Sequence, residues 1–141
     1  MRVSSAITSL PAIVACALFF VDTQAHPGHG HGHHHHGPNG GRLLLKASPD
    51  IEFKITKDRM VELYAVNIKN EIVPIEKQEV KVTAGPRSKP VHLTFTKDGD
   101  KLVSDVALPE GDDIPVVLEI IVKPGGPTLV EKFVLDSDHD H

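Results

Sequence analysis

From Arg42 onward the chain alternates apolar and polar positions with a period of two, in short runs rich in valine, isoleucine and threonine, and turn-forming Lys, Asp, Gly and Pro clusters separate the runs. That period belongs to β-strands with one face in a core. Ile51, Phe53 and Ile55 alternate with Glu52, Lys54 and Thr56; after the polar Lys57-Asp58-Arg59 come Val61, Leu63 and Ala65, which predicts a hairpin. Glu79 to Ala84 alternates around Val80 and Val82. Val91, Leu93 and Phe95 then point inward, opposite His92, Thr94 and Thr96. Lys97-Asp98-Gly99-Asp100 reads as a tight hairpin turn with Gly99 at positive φ, followed by a strand from Lys101 to about Ala107. Val116 to Val122 and Thr128 to Leu135 form a last hairpin, and the first of these runs, apolar on both faces except at Glu119, is expected to sit centrally in a sheet.

Six to eight such strands without a helical stretch predict an all-β fold: a small antiparallel β-sandwich, immunoglobulin-like, over residues 42–135, with a small barrel as the alternative. Exposed sheet edges would allow strand-mediated association.

The segments outside this pattern carry the chemistry. Residues 1–25 have the three parts of a signal peptide: Arg2, the apolar Ala12 to Val21, and the small-x-small site Thr23-Gln24-Ala25. The ten-residue apolar run is short of the roughly 20 residues that cross a bilayer, so an exported, periplasmic or secreted protein without a membrane span is expected. Ile13-Val14-Ala15-Cys16 offers a second reading, a lipoprotein anchored through Cys16, although the apolar run continues past that cysteine. Cys16 is the only cysteine, so cleavage after Ala25 removes disulfides, thiolate metal sites and cysteine nucleophiles together.

Residues 26–41 are almost wholly His, Gly, Pro and Asn, a composition that buries too little apolar surface to offset ordering entropy and predicts a disordered tail. HPGHGHGHHHH, His26 to His36, places seven imidazoles in eleven residues: His26, His29, His31, His33, His34, His35 and His36. Neutral imidazole ligates zinc, copper(II), nickel and cobalt, and intervening glycines let the backbone fold several rings around one ion. An ion takes about four ligands at about 2 Å, so the run offers more than one site and interchangeable coordination modes. Protonation near pH 6 would expel the metal. The plain alternatives are a purification tag, which the interleaved glycines and the position behind a signal disfavour, and a soluble spacer.

If cleavage follows Ala25, the amine and ring of His26 could chelate copper jointly, but such a brace needs a second histidine from the fold, and only His92 lies there, on an outer strand face. At the other end, residues 136–141 read Asp-Ser-Asp-His-Asp-His; His139 and His141 with the carboxylates suit zinc or cobalt, against the reading of an acidic solubilising tail. Were both termini to lie at one end of the sandwich, the tails could close on one ion.

Net charge is −4 with histidine neutral, without a basic patch, and only three phenylalanines and one tyrosine follow the signal, so no nucleic-acid partner is indicated. No nucleophile elbow, phosphate loop or recognisable carboxylate pair appears, and an enzyme is not expected. Asp112 and Asp113 read as a solvated loop.

His36-Gly37-Pro38-Asn39-Gly40-Gly41-Arg42-Leu43-Leu44 resembles the His-Gly-Pro-x-Gly-Gly-Arg-Leu entry to the N-terminal β domain of periplasmic adaptor (membrane fusion) proteins of heavy-metal RND efflux pumps. Ile51 to Ile55, Leu63 to Val66 and Phe95 to Ser104 resemble successive strands of that domain, so the likeness spans most of Gly37 to Lys123. The coiled-coil hairpin, lipoyl-like and barrel domains of an adaptor have no room here, which implies a stand-alone relative of the metal-associated domain. The resemblance implies a periplasmic protein that binds, buffers or delivers divalent transition-metal cations, with a heavy-metal efflux system as the partner it suggests. A protein-interaction module with an incidental histidine tail is the alternative. Independently, Gly40-Gly41 reads as a tight turn between tail and first strand.

Overall fold

A computed structural model describes residues 35–75 and 78–136. Ten strands run in chain order: β1 Arg42–Leu44, β2 Asp50–Ile55, β3 Val61–Val66, β4 Ile72–Val73, β5 Glu79–Ala84, β6 Val91–Leu93, β7 Phe95–Asp98, β8 Lys101–Ser104, β9 Ile114–Ile121 and β10 Thr128–Leu135. All pairings are antiparallel. One sheet has the order β1-β2-β3-β8-β7 with β4 also on β3; the other is β10-β9-β5-β6. With β2, β3, β8 and β7 in one layer and β10, β9 and β5 in the other, this is the strand order of an immunoglobulin-type sandwich, extended by β1, β4 and β6.

The period-two pattern explains the layering. Ile51, Phe53, Leu63, Ala65 and Leu102 of the first sheet face Val82, Ala84, Leu93, Val116, Leu118 and Ile120 of the second in one buried core. β9 is the central strand expected from its composition, although its outer face (Pro115, Val117, Glu119, Ile121) is half-buried to exposed.

Two differences from the sequence-based expectation have clear causes. The inward positions Val91, Leu93 and Phe95 do not form one strand: the chain changes sheets at Thr94, with β6 on β5 and β7 on β8. Asp105 holds the switch, accepting from the Thr94 N–H (2.8 Å) and Thr94 hydroxyl (2.8 Å) and donating its own N–H to the Thr94 carbonyl (2.9 Å). β8 ends at Ser104 rather than near Ala107, because the buried Ser104 hydroxyl accepts from the Val61 N–H and donates to the Val106 carbonyl (both 2.9 Å), replacing the ladder.

A third difference concerns the tail. Residues 35–41, expected to be disordered, are folded onto the first sheet. The Gly37 N–H donates to the Gly41 carbonyl (2.9 Å) and the Gly40 N–H to the Gly37 carbonyl (3.0 Å), with Gly40 at φ 81°. The β2–β3 turn (Thr56 to Met60, Arg59 at φ 62°) and the β3–β4 turn (Asn67 to Glu71, Asn70 at φ 61°) repeat the same bonds. Each is a hairpin turn closed by a left-handed residue, so the first hairpin of the domain begins at His36, not Arg42.

Candidate functional site

Glu52 explains why a Gly/Pro/Asn segment folds here. On the outer face of β2, where alternation predicts a solvated side chain, its carboxylate is fully buried and accepts from the Asn39 N–H (2.9 Å), the Gly41 N–H (2.8 Å) and the Asn39 Nδ2 (3.0 Å). Charge-assisted bonds to backbone N–H groups are the stronger kind and compensate the burial of the charge. Close packing requires the glycines: a Cβ on Gly37 would stand 2.4 Å from the Glu52 Cδ, and one on Gly41 2.6 Å from the Phe53 carbonyl.

This turn presents the end of the histidine run. The Leu43 N–H donates to the His35 carbonyl (2.7 Å) and His36 forms an isolated bridge with Arg42, leaving both imidazoles exposed. Arg42 then joins the sheets. Its guanidinium carbon lies 4.8 Å from the Phe133 ring centroid, and Nη1 donates to the Val134 carbonyl (2.9 Å). Phe133 packs edge-on to Phe53 at 5.3 Å and 81°. Farther along, Lys46 Nζ donates to the Val130 carbonyl (3.0 Å) and lies 3.5 Å from Glu131, whose carboxylate also accepts from the Lys46 N–H (3.1 Å). The beginning of β1 and the end of β10 are thereby neighbours.

Of the metal candidates, His35 and His36 are placed side by side at this junction, while His26, His29, His31, His33, His34, His139 and His141 lie outside the described residues, as do the signal segment and Cys16. Among the described residues no group of three or more His, Cys, Asp or Glu side chains is gathered around a common point. His92 is an exposed surface histidine, its Nδ1 3.1 Å from the Thr83 hydroxyl. Asp112 and Asp113 are exposed loop residues. No helix among the described residues is long and apolar enough to cross a membrane.

Elsewhere, the outer face of the first sheet carries a polar trio. Lys101 Nζ lies 2.6 Å from Glu62 Oε1, and the Tyr64 hydroxyl donates to Glu62 Oε2 (2.9 Å). Burial pushes the Glu62 carboxyl up, but the bonds from Lys101 and Tyr64 outweigh it and hold it below its ordinary value. Burial and the Glu62 carboxylate raise Tyr64, and the bond to Glu62 raises Lys101. A trio bonded in this way braces a sheet face.

On the second sheet, Thr83, His92, Pro115, Val117, Lys132 and Val134 line an open hollow of about 650 Å³.

The residues that sequence reasoning missed are positional: Glu52, Arg42 and Phe133. Asn39-Gly40 after Pro38 was an available turn signal, but nothing local identifies Glu52, 13 residues away, as its acceptor. No protein-family model, no curated protein and no solved structure matches this chain.

Proposed function

We propose that this protein is an exported, non-enzymatic binder of divalent transition-metal cations (zinc, copper(II), nickel or cobalt) that buffers, sequesters or delivers them in the periplasm. One observation carries this: seven imidazoles in eleven residues directly precede a folded anchor. The imidazoles of His29 to His36 are the principal ligands, with His26 beside them, and the sandwich is their carrier. The signal-like residues 1–25 support export, and the similarity of His36 to Leu44 to the entry of efflux-adaptor β domains supports a heavy-metal efflux system as recipient. Copper outcompetes other divalent ions at such ligands, so the metal used is decided by supply.

Calorimetry with zinc, copper(II), nickel and cobalt at neutral pH and at about pH 5.5 tests the proposal. The chain from His26 is compared with one in which the seven histidines of the run are replaced by asparagine, which preserves the backbone pairing of His35 and His36. Tight binding that disappears with the imidazoles and weakens in acid is expected. Binding unchanged by the replacement would refute it.

The second reading is a protein-interaction module. It is favoured by the outer face of the second sheet, where Val130 and Val134 are 36% and 49% exposed beside the hollow. An asparagine-replaced chain that retains full function in the cell would favour it.

A further inference from the structure

One register row crosses the hollow on the outer face of the second sheet: His92, Thr83, Val117 and Lys132 stand side by side on β6, β5, β9 and β10. Arg87, from the turn between β5 and β6, joins His92 and Lys132 around this hollow, and all three are exposed. Val117, Pro115 and Val134 give it an apolar lining. In the tautomer whose Nδ1 accepts from the Thr83 hydroxyl, 3.1 Å away, the ring proton of His92 sits on Nε2, so His92 is a donor as well. No carboxylate lines the hollow. Glu119 stands one row farther along the same face, directly opposite Lys81, so its charge is answered where it lies. The hollow is thus a local excess of positive charge on a chain whose net charge is −4.

We propose that this hollow docks an acidic, extended segment of a partner protein, in which an apolar residue has Asp or Glu two positions away on each side. The spacing follows from the sheet. His92 and Lys132 are three strand spacings apart, about 14 Å, and residues four apart in an extended peptide lie about 13 Å apart on one side of it. Carboxylates at those positions meet Lys132 at one end and Arg87 with His92 at the other, and the residue between them lies over Val117. Charge-assisted bonds at both ends set the register of the peptide, and charge complementarity favours this occupant over a neutral or basic one. The inference gives the interaction-module reading its partner chemistry and rests on that reading, not on metal binding; the cellular test of the asparagine-replaced chain is decided separately from it.

The test follows amide NMR shifts of the chain from His26, freed of metal by dialysis, as the acetylated and amidated peptide Glu-Thr-Val-Thr-Glu is added. Gln-Thr-Val-Thr-Gln and Lys-Thr-Val-Thr-Lys serve as controls. Saturable shifts at Thr83, His92, Val117 and Lys132 are expected with the acidic peptide. Affinity should fall about tenfold for the glutamine peptide and for an Arg87→Gln/Lys132→Gln variant, and should also fall in about 0.5 M salt. Both substituted side chains are exposed, and an unchanged thermal midpoint verifies that the variant is folded. Equal affinity for the three peptides, unchanged affinity in the variant, or shifts confined to other surfaces would overturn the site. No binding of the acidic peptide would overturn it too, leaving the imidazole run as a metal ligand. A dimer in sedimentation that the variant abolishes would overturn it in favour of a second copy. Peptide binding that emerges only once residues 137–141 are removed would overturn it in favour of the chain's own acidic end.

Discussion

Replacing Glu52 tests most directly whether the entry turn is held as described. In Glu52→Ala three donors, the Asn39 N–H, Gly41 N–H and Asn39 Nδ2, lose a fully buried carboxylate. Hydrogen bonds to charged groups contribute about 1.5 to 3 kcal/mol each, which sums to roughly 4.5 to 9 kcal/mol if the turn stays in place. It need not stay. Residues 35–41 form the outermost hairpin of the domain and can swing into water, so the loss is limited to what that hairpin and the Arg42 contacts contribute, about 3 kcal/mol or roughly 12 to 24 °C in Tm for a domain of this size. Glu52→Gln keeps an oxygen for the Asn39 and Gly41 N–H groups but sets an amide nitrogen against Asn39 Nδ2, 3.0 Å from the present oxygen. A flip of the Asn39 amide repairs that pair, leaving a loss of about 1 kcal/mol for the missing charge. Urea unfolding gives the free energies, and amide exchange at Gly41 and Leu43 reports the turn itself. Alanine and glutamine variants of equal stability, or an alanine variant within about 0.5 kcal/mol of the parent with unchanged exchange at Gly41, would refute the account.

Gly41→Ala, whose Cβ meets the Phe53 carbonyl at 2.6 Å, is expected to lose about 2 kcal/mol or more in the same assay, whereas Gly40→Ala, with open space but φ 81°, loses only about 1 kcal/mol. Lys101→Met tests the polar trio through pH. Glu62 is held below its ordinary 4.5, so its contribution is present above that value and is lost as pH falls through its folded pKa; Lys101 is held above 10.5, so its contribution is present below that value and is lost as pH rises through its folded pKa. The deficit of the variant should be largest, about 1 kcal/mol, between about pH 5 and 10 and should shrink at pH 3, as read by urea unfolding across that range.

The β2–β3 and β9–β10 hairpins and the Gly99 turn were legible because each rests on alternation and turn residues adjacent in sequence. The sheet switch at Thr94 was not. Val91, Leu93 and Phe95 keep the same inward parity on both sides of it, so the periodicity carries no mark of the change, and the Asp105 that enforces it lies 11 residues away. The entry turn was hidden for a related reason: composition describes what a segment cannot bury by itself, and the carboxylate that orders this one belongs to β2. The histidine run was conspicuous from composition alone. That its folded end lies beside the end of β10 depends on Arg42, whose partners Phe133 and Val134 are about 90 residues distant and whose role no local pattern reveals.

The side chains of Arg42 and Lys46 occupy the carbonyls of Val134 and Val130 along β10, an eight-residue edge strand. A second chain seeking to extend the sheet there would first have to displace both cations from those two carbonyls. The other edge strands among the described residues are shorter: β1 and β6 have three residues each, β7 four and β4 two. Copies of this domain are therefore discouraged from fusing strand to strand along β10.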